Sequence, residues 1–199
     1  MKKKFVSLVS VVMALCLVLG AAAFAEDAYP KTVSHALGDT VLEARPERVA
    51  TIGWGNLDVP LALGVAPVGV SKTTYGSADA NGLFYWTNEA FAQLGVDAPN
   101  VFDDTDGLDF EAINNAEPDL ILAVYSGISE EEYQQLSEIA PTVAYQEAWA
   151  TTWQDMTLDN GKALGKEEEA KAFIKEKEDE YNELFANPYN AARYGYIDD

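Results

Sequence analysis

The apolar positions of this chain fall into short strand-like runs separated by helical stripes, an alternation that holds from about residue 32 to residue 145. Thr32–His35 and Thr40–Glu43 are extended runs flanking Ala36-Leu37-Gly38-Asp39, which predicts a hairpin around a Gly-Asp turn. Pro46 stops that unit, and Arg48–Gly53 follows as a compact buried strand. Asn56 is placed to cap a helix over Leu57–Leu63, Gly64 ends it, and Pro67–Ser71 is the next strand. Between Lys72 and Gly107 the pattern gives way to Gly, Asn, Asp and aromatics, with one short helical piece at Glu89–Leu94. Stretches of that length inside a compact domain are usually functional or mobile.

Regular patterning then resumes. Asp109 caps a helix running through Asn115, and Pro118 separates it from the apolar strand Asp119–Val124. Ser129 with Glu132 forms a capping box ahead of a helix whose stripe includes Tyr133, Leu136 and Ile139, and Thr142–Tyr145 is a short strand. From Gly165 the period lengthens. Glu167–Phe185 carries apolar residues at Ala170, Phe173, Ile174, Tyr181, Leu184 and Phe185, one stripe on a helix of about 28 Å. Pro188 ends it, and Arg193–Ile197 has the look of a strand beginning. Strands alternating with helices predict a parallel sheet flanked by helices, with ligands held beyond the carboxyl ends of the strands.

The first 25 residues stand outside this pattern. Lys2, Lys3 and Lys4 precede an apolar run from Phe5 to Gly20, and Ala23-Phe24-Ala25 supplies a small-x-small cleavage site: the anatomy of a secretory signal peptide rather than of a membrane span. Cys16 is the only cysteine; a lipid-anchoring role wants a small residue before it, and Leu15 stands there. Lipid anchoring at Cys16, with the protein then membrane-associated, stays the weaker alternative; if Ala25 is the last residue removed, the mature chain has no disulfide, thiolate metal site or cysteine nucleophile. The formal net charge is −20; residues 1–25 hold three of the 13 lysines and arginines and none of the 33 acids, so the remainder stands at −23. Such a surface repels phosphate backbones and anionic lipid heads, which argues against nucleic-acid and membrane-surface binding.

Five segments in order carry a resemblance. They are His35–Thr40 with Arg45–Val49, Leu61–Val70, Phe110–Ile113 with Glu117–Leu122, Ile139–Val143, and Gly161–Gly165. This order is similar to that of the iron-siderophore substrate-binding proteins of ABC importers. The resemblance implies two Rossmann-like lobes joined by one long helix, with ligand held between them. It divides the chain into a signal peptide (1–25), an N-terminal ligand-binding lobe (26–150), a helical segment including the interlobe helix (151–187) and the start of a second lobe (188–199) whose remainder is missing. It further implies an exported monomer, at the periplasm or cell surface, with a ferric siderophore and the permease subunits as partners. The glutamate of the family's docking motif falls on Glu111; its plainer role is to stabilise a helix N-terminus.

Residues just after strands are the candidate ligand contacts: Trp54, Lys72, Tyr75, Tyr125, Ser126 and Tyr145, with Tyr85, Trp86 and Trp149 in loops or at a helix start. Aromatic faces suit flat chelates, and Trp54, Tyr75, Trp86 and Tyr125 lead by position. Lys72 is the nearest base for an anionic chelate, whereas Arg45 and Arg48, at a strand start, read as structural. The chain's acidity leaves two options: an anionic cargo served by charge elsewhere, or a neutral or cationic one. With one histidine, His35, direct metal capture has no ligand set, so no cofactor or bare metal is expected. An enzyme would need a motif the chain lacks: there is no Gly-x-Ser-x-Gly, nothing pairs Ser126 with His35, and Gly161–Lys166 lacks P-loop spacing. Haem or cobalamin as cargo, and a surface adhesion module, are the rival readings.

Overall fold

The computed structural model describes residues 29–74, 76, 78–96, 99–187 and 190. The predicted signal peptide, Cys16, Tyr75 and the Arg193–Ile197 strand lie outside them. The chain opens with an antiparallel hairpin of β1 (Lys31–His35) and β2 (Gly38–Leu42), registered from Lys31 opposite Leu42 to His35 opposite Gly38. Alternation decides what it buries: Val33, His35, Thr40 and Leu42 point inward, and their neighbours face water.

A five-stranded parallel sheet follows, built from β3 (Val49–Thr51), β4 (Gly69–Ser71), β5 (Asn100–Phe102), β6 (Leu120–Leu122) and β7 (Thr142–Val143) in the order β5-β4-β3-β6-β7. The chain works outward from β3 to β5, then returns to place β6 on the other side of β3. The two flanks of β3 are therefore left in opposite directions, which opens a crevice at the carboxyl ends of β3 and β6. The helices are α1 (Asp58–Ala62), α2 (Tyr85–Gln93), α3 (Phe110–Asn115), α4 (Glu130–Ile139), α5 (Trp153–Ala163) and α6 (Glu167–Ala186).

Both faces of the sheet are covered, which is why its strands are continuous apolar runs. Leu120, Leu122 and Val124 pack on one face with Val59 of α1, Leu63 just after it, Ala163 of α5 and Ala170 of α6. Ile121 and Ala123 pack on the other, with Ile113 of α3 and Leu136 of α4. The period-2 alternation along one strand thus serves two cores. Between α5 and α6 the chain needs glycine for room: a Cβ on Gly161 would overlap that of Ala170.

Two of the six described helices start at the caps predicted from the sequence, Asp109 and Ser129, and a third starts at Thr152, which the sequence pattern does not single out. Asp109 accepts from the Ala112 N–H, Ser129 and Glu132 form the reciprocal capping box, and Thr152 accepts from the Asp155 N–H. Arg48 closes the far end of α3 by donating to the carbonyls of Ala116 and Glu117, both at 2.6 Å, and Arg45 donates to the Gly165 carbonyl at 2.9 Å. Two expectations need correction. Helix α2 begins at Tyr85, not Glu89, and Asn56 caps nothing: the residue preceding α1 is Leu57, without a side-chain cap.

Candidate functional site

Asn56 is spent on a different task. Fully buried, it donates from Nδ2 to the carbonyls of Ile52 (2.6 Å) and Tyr125 (2.9 Å) and accepts from the Tyr125 N–H at Oδ1 (3.0 Å). One side chain thereby ties the loop after β3 to the loop after β6 and holds the crevice at fixed width. Gly53, at φ 84°, makes the turn that lets the two backbones approach.

Above this clamp lies a cavity of about 420 Å³. Its floor and walls come from the ends of β3 (Gly53, Trp54), β4 (Ser71, Lys72, Thr73), β5 (Asp104) and β6 (Ser126, Gly127), with Phe84, Trp86 and Trp149 added from loops and the α2 start. Its rim is aromatic and open to water: Trp54 is 62% exposed, Trp86 48% and Trp149 57%. Indole faces left in solvent at the mouth of a concavity form the kind of apolar patch that a ligand or partner covers.

The rings form two groups. Tyr125 sits between Trp54 and Trp149, with ring centroids 6.0 Å and 5.8 Å away, tilted to the first and edge-on to the second. Across the mouth Phe84 stacks on Trp86 at 4.3 Å, and Tyr85 meets Trp86 edge-on. Trp149 adopts φ 59°, sparsely populated for a bulky residue and costing about 1–3 kcal/mol. Its N–H donates to the Ser126 carbonyl, and its indole lies where a Cβ of Gly127 would stand. The ring thus packs its Nε1 side against the loop after β6 at Gly127.

Of the sequence candidates, Trp54, Lys72, Trp86, Ser126 and Trp149 line the cavity. Tyr125 backs the rim rather than facing in, and Tyr85 is exposed beside Trp86. Tyr145 turns away: its hydroxyl donates to the Ile128 carbonyl, its carbonyl accepts from the Ala36 N–H, and its ring packs with the α4 core. Ser126 is buried and donates to the Ala123 carbonyl, so its hydroxyl has a structural partner. Lys72 is bridged to Asp103 at 2.8 Å, and that contact, with the Thr105 hydroxyl, holds the Asp103 carboxyl down at about 2. The lysine is therefore not a free positive charge. Glu111 is exposed on the first turn of α3, at the strand-carboxyl end of the lobe, beyond the Asp104–Leu108 loop that lines the cavity.

The polar floor was not legible in the sequence. Ser71, the last residue of β4, donates to Asp104 Oδ2 and accepts from the Gly53 N–H at 2.9 Å. The signal was there in principle, since Asp103-Asp104 follow β5, but three residues of strand inside a long irregular stretch gave no period to read.

A five-stranded parallel crevice sheet, a long helix after the last strand and an aromatic-rimmed switch point define a ligand-binding lobe of the bilobal type. Residues 49–186 match the periplasmic binding protein family, and the chain belongs to that family. Among solved structures it is similar to Streptococcus pneumoniae TIGR4 PiaA in complex with ferrichrome, at 49% identity and TM-score 0.74, over 78% of this chain and 51% of that one. It is also similar to Staphylococcus aureus SirA complexed with staphyloferrin B, at 32% identity and TM-score 0.67, over 82% and 51%. The Bacillus subtilis (strain 168) lipoprotein YhfQ is 30% identical over 154 residues, 76% of this chain and 45% of that protein. The chain thus spans about half the length of the relatives it matches.

Proposed function

We propose that this protein is the extracytoplasmic substrate-binding component of an ABC importer, capturing a ferric siderophore and presenting it to the permease. The observation that carries the reading is the switch-point cavity rimmed by the exposed indoles of Trp54, Trp86 and Trp149, in a chain whose 49%-identical relative was crystallised with ferrichrome. Flat apolar area with N–H edges suits the organic shell of an iron chelate, and a second lobe closing over the mouth would bury the rings now in water. Capture of this kind needs no bond-making.

Trp54, Lys72, Trp86, Ser126 and Trp149 are the proposed contacts within this lobe. Tyr125 supports two of the rings, and Tyr75 is carried by its place after β4. Glu111 is the proposed permease contact: exposed, on the ligand-bearing end of the lobe, and spaced from the cavity by one loop. Export follows from the leader-like residues 1–25, and among the described residues no helix is long and apolar enough to cross a membrane. Equilibrium dialysis against ferric siderophores, haem and cobalamin tests the reading. Saturable retention of a ferric chelate supports it; retention of haem or cobalamin alone overturns it.

A further inference from the structure

The two sides of the cavity mouth are held by different means. On one side the buried Asn56 amide ties together the loops that carry Trp54 and Tyr125. The other side is the Phe84–Trp86 stack with Tyr85 edge-on to it, standing where an irregular stretch after β4 enters α2. No side chain caps that helix, and its first turn holds no acid, so the usual anchors of a helix start are missing at the wall.

Asp79 supplies an anchor from outside the helix. Its Oδ1 accepts from the N–H groups of Asn81 (2.8 Å) and Leu83 (3.0 Å), and its Oδ2 accepts from Asn88 Nδ2 at 2.8 Å. One carboxylate thus joins the two residues that bracket the wall, Leu83 just before Phe84 and Asn88 one turn into α2. The backbone closes the same turn: the Asp79 N–H donates to the Leu83 carbonyl at 2.8 Å, and the Gly82 N–H to the Asp79 carbonyl at 3.0 Å. Leu83 is buried among Leu57, Leu61, Val70 and Phe91, so the turn is seated on the core while Tyr85 and Trp86 stay in water. The Leu83 N–H and the Asn88 amide hold the Asp79 carboxyl below its ordinary value, which keeps the anchor charged at neutral pH. Phe84 and Trp86 line the cavity; Asp79 and Asn88 do not.

We propose that Asp79 is a positioning residue for cargo capture: through Leu83 and Asn88 it holds the Phe84–Trp86 wall in place, so that these rings are ordered before cargo arrives. The proposal rests on the reading of the cavity as the cargo site and adds to it a residue that cargo does not touch. A wall ordered in advance has less side-chain freedom to lose on binding.

The test uses the full chain as wild type, Asp79→Ala, Asp79→Asn, and Asp79→Asn combined with Asn88→Asp, each checked for native far-ultraviolet circular dichroism. In Asp79→Asn alone two side-chain amides face each other; the combined exchange reverses donor and acceptor and restores the bond. Two quantities are read: the Trp86 contribution to the near-ultraviolet circular dichroism, as the difference that Trp86→Phe makes in each background, and the Kd for ferrichrome as probe. Asp79→Ala is expected to lose most of the Trp86 signal and to bind roughly tenfold more weakly, the order for two rings that must be ordered on binding. The combined exchange is expected to regain both, and Asp79→Asn to fall between. An undiminished Trp86 signal in Asp79→Ala, or no recovery in the combined exchange, overturns the positioning role. A lost signal with unchanged affinity overturns its bearing on cargo. Wild type that does not bind ferrichrome overturns the role in capture along with the reading beneath it, and the Trp86 signal, read without ligand, shows separately whether Asp79 places the wall.

Discussion

Asn56 and Tyr125, 69 positions apart, are joined by two hydrogen bonds, Asn56 Nδ2 to the Tyr125 carbonyl at 2.9 Å and the Tyr125 N–H to Asn56 Oδ1 at 3.0 Å. With the third bond to Ile52, they fix the spacing of the β3 and β6 loops that carry Trp54 and Tyr125, the second of which meets Trp149 edge-on. Replacing Asn56 by Leu leaves two carbonyls and an N–H buried without a partner. Asn56→Leu is expected to lower stability by roughly 2–4 kcal/mol, read as a fall in the urea midpoint at unchanged slope. A loss under about 0.5 kcal/mol would mean the clamp is not needed.

His35 makes the fold sensitive to acid. Its Nδ1 accepts from the Leu37 N–H at 3.3 Å, which leaves the ring proton on Nε2, 2.9 Å from the Thr40 hydroxyl; Thr40 in turn donates to the Thr142 carbonyl. Protonation would set a second donor against the Leu37 N–H. Burial lowers the pKa below 6.5, against Asp39, Asp159 and the Thr142 carbonyl, which raise it. The unfolded chain therefore takes up the proton first. This contribution to stability is complete above about pH 6.5 and is lost as the pH falls below it. Buried carboxyls raised by desolvation, such as Asp104, act in the opposite sense, so the comparison is with His35→Gln, whose amide can still donate to Thr40. Between about pH 7.5 and pH 5.5 the wild type is expected to lose more of its urea resistance than the variant. Parallel losses would contradict the assignment.

Most of the frame could be read from the chain because its signals are local. The capping box at Ser129 and Glu132, the apolar run of β6 and the long stripe of α6 each announce themselves within a few residues. The site was legible only as a region. Strand-end position picked out Trp54, Lys72 and Ser126, but it could not tell that Tyr145 would turn to the Ile128 carbonyl or that Asp103 would occupy Lys72. Those outcomes depend on partners 17 and 31 positions away. Asn56 misled for a similar reason: an Asn before an apolar run is a helix cap in sequence, and here the Tyr125 N–H, 69 positions away, takes the side-chain oxygen a cap would use.

The α5–α6 crossing depends on Gly161. Its Cα faces Ala170 so closely that a methyl group at 161 overlaps the one at 170. Gly161→Ala is expected to destabilise by roughly 1–3 kcal/mol, and pairing it with Ala170→Gly is expected to recover much of the loss. Additive losses in the double variant would place the strain elsewhere.

Glu111 offers a separation of capture from delivery. It is exposed and makes no contact with the cavity, and the α3 cap belongs to Asp109. Glu111→Lys is expected to leave ferric-chelate affinity unchanged and to abolish iron uptake by cells that depend on this protein. Intact uptake would remove the docking role.

The central claim is that cargo lies against the indoles at the switch point, and affinity in two tryptophan variants tests it most directly. Trp149 lines the cavity, whereas Trp153, also exposed, starts α5 and does not. Titration of the full chain with ferrichrome is expected to show at least about a tenfold weaker Kd in Trp149→Ala and an unchanged one in Trp153→Ala. Equal affinities in both variants and the wild type would contradict the account.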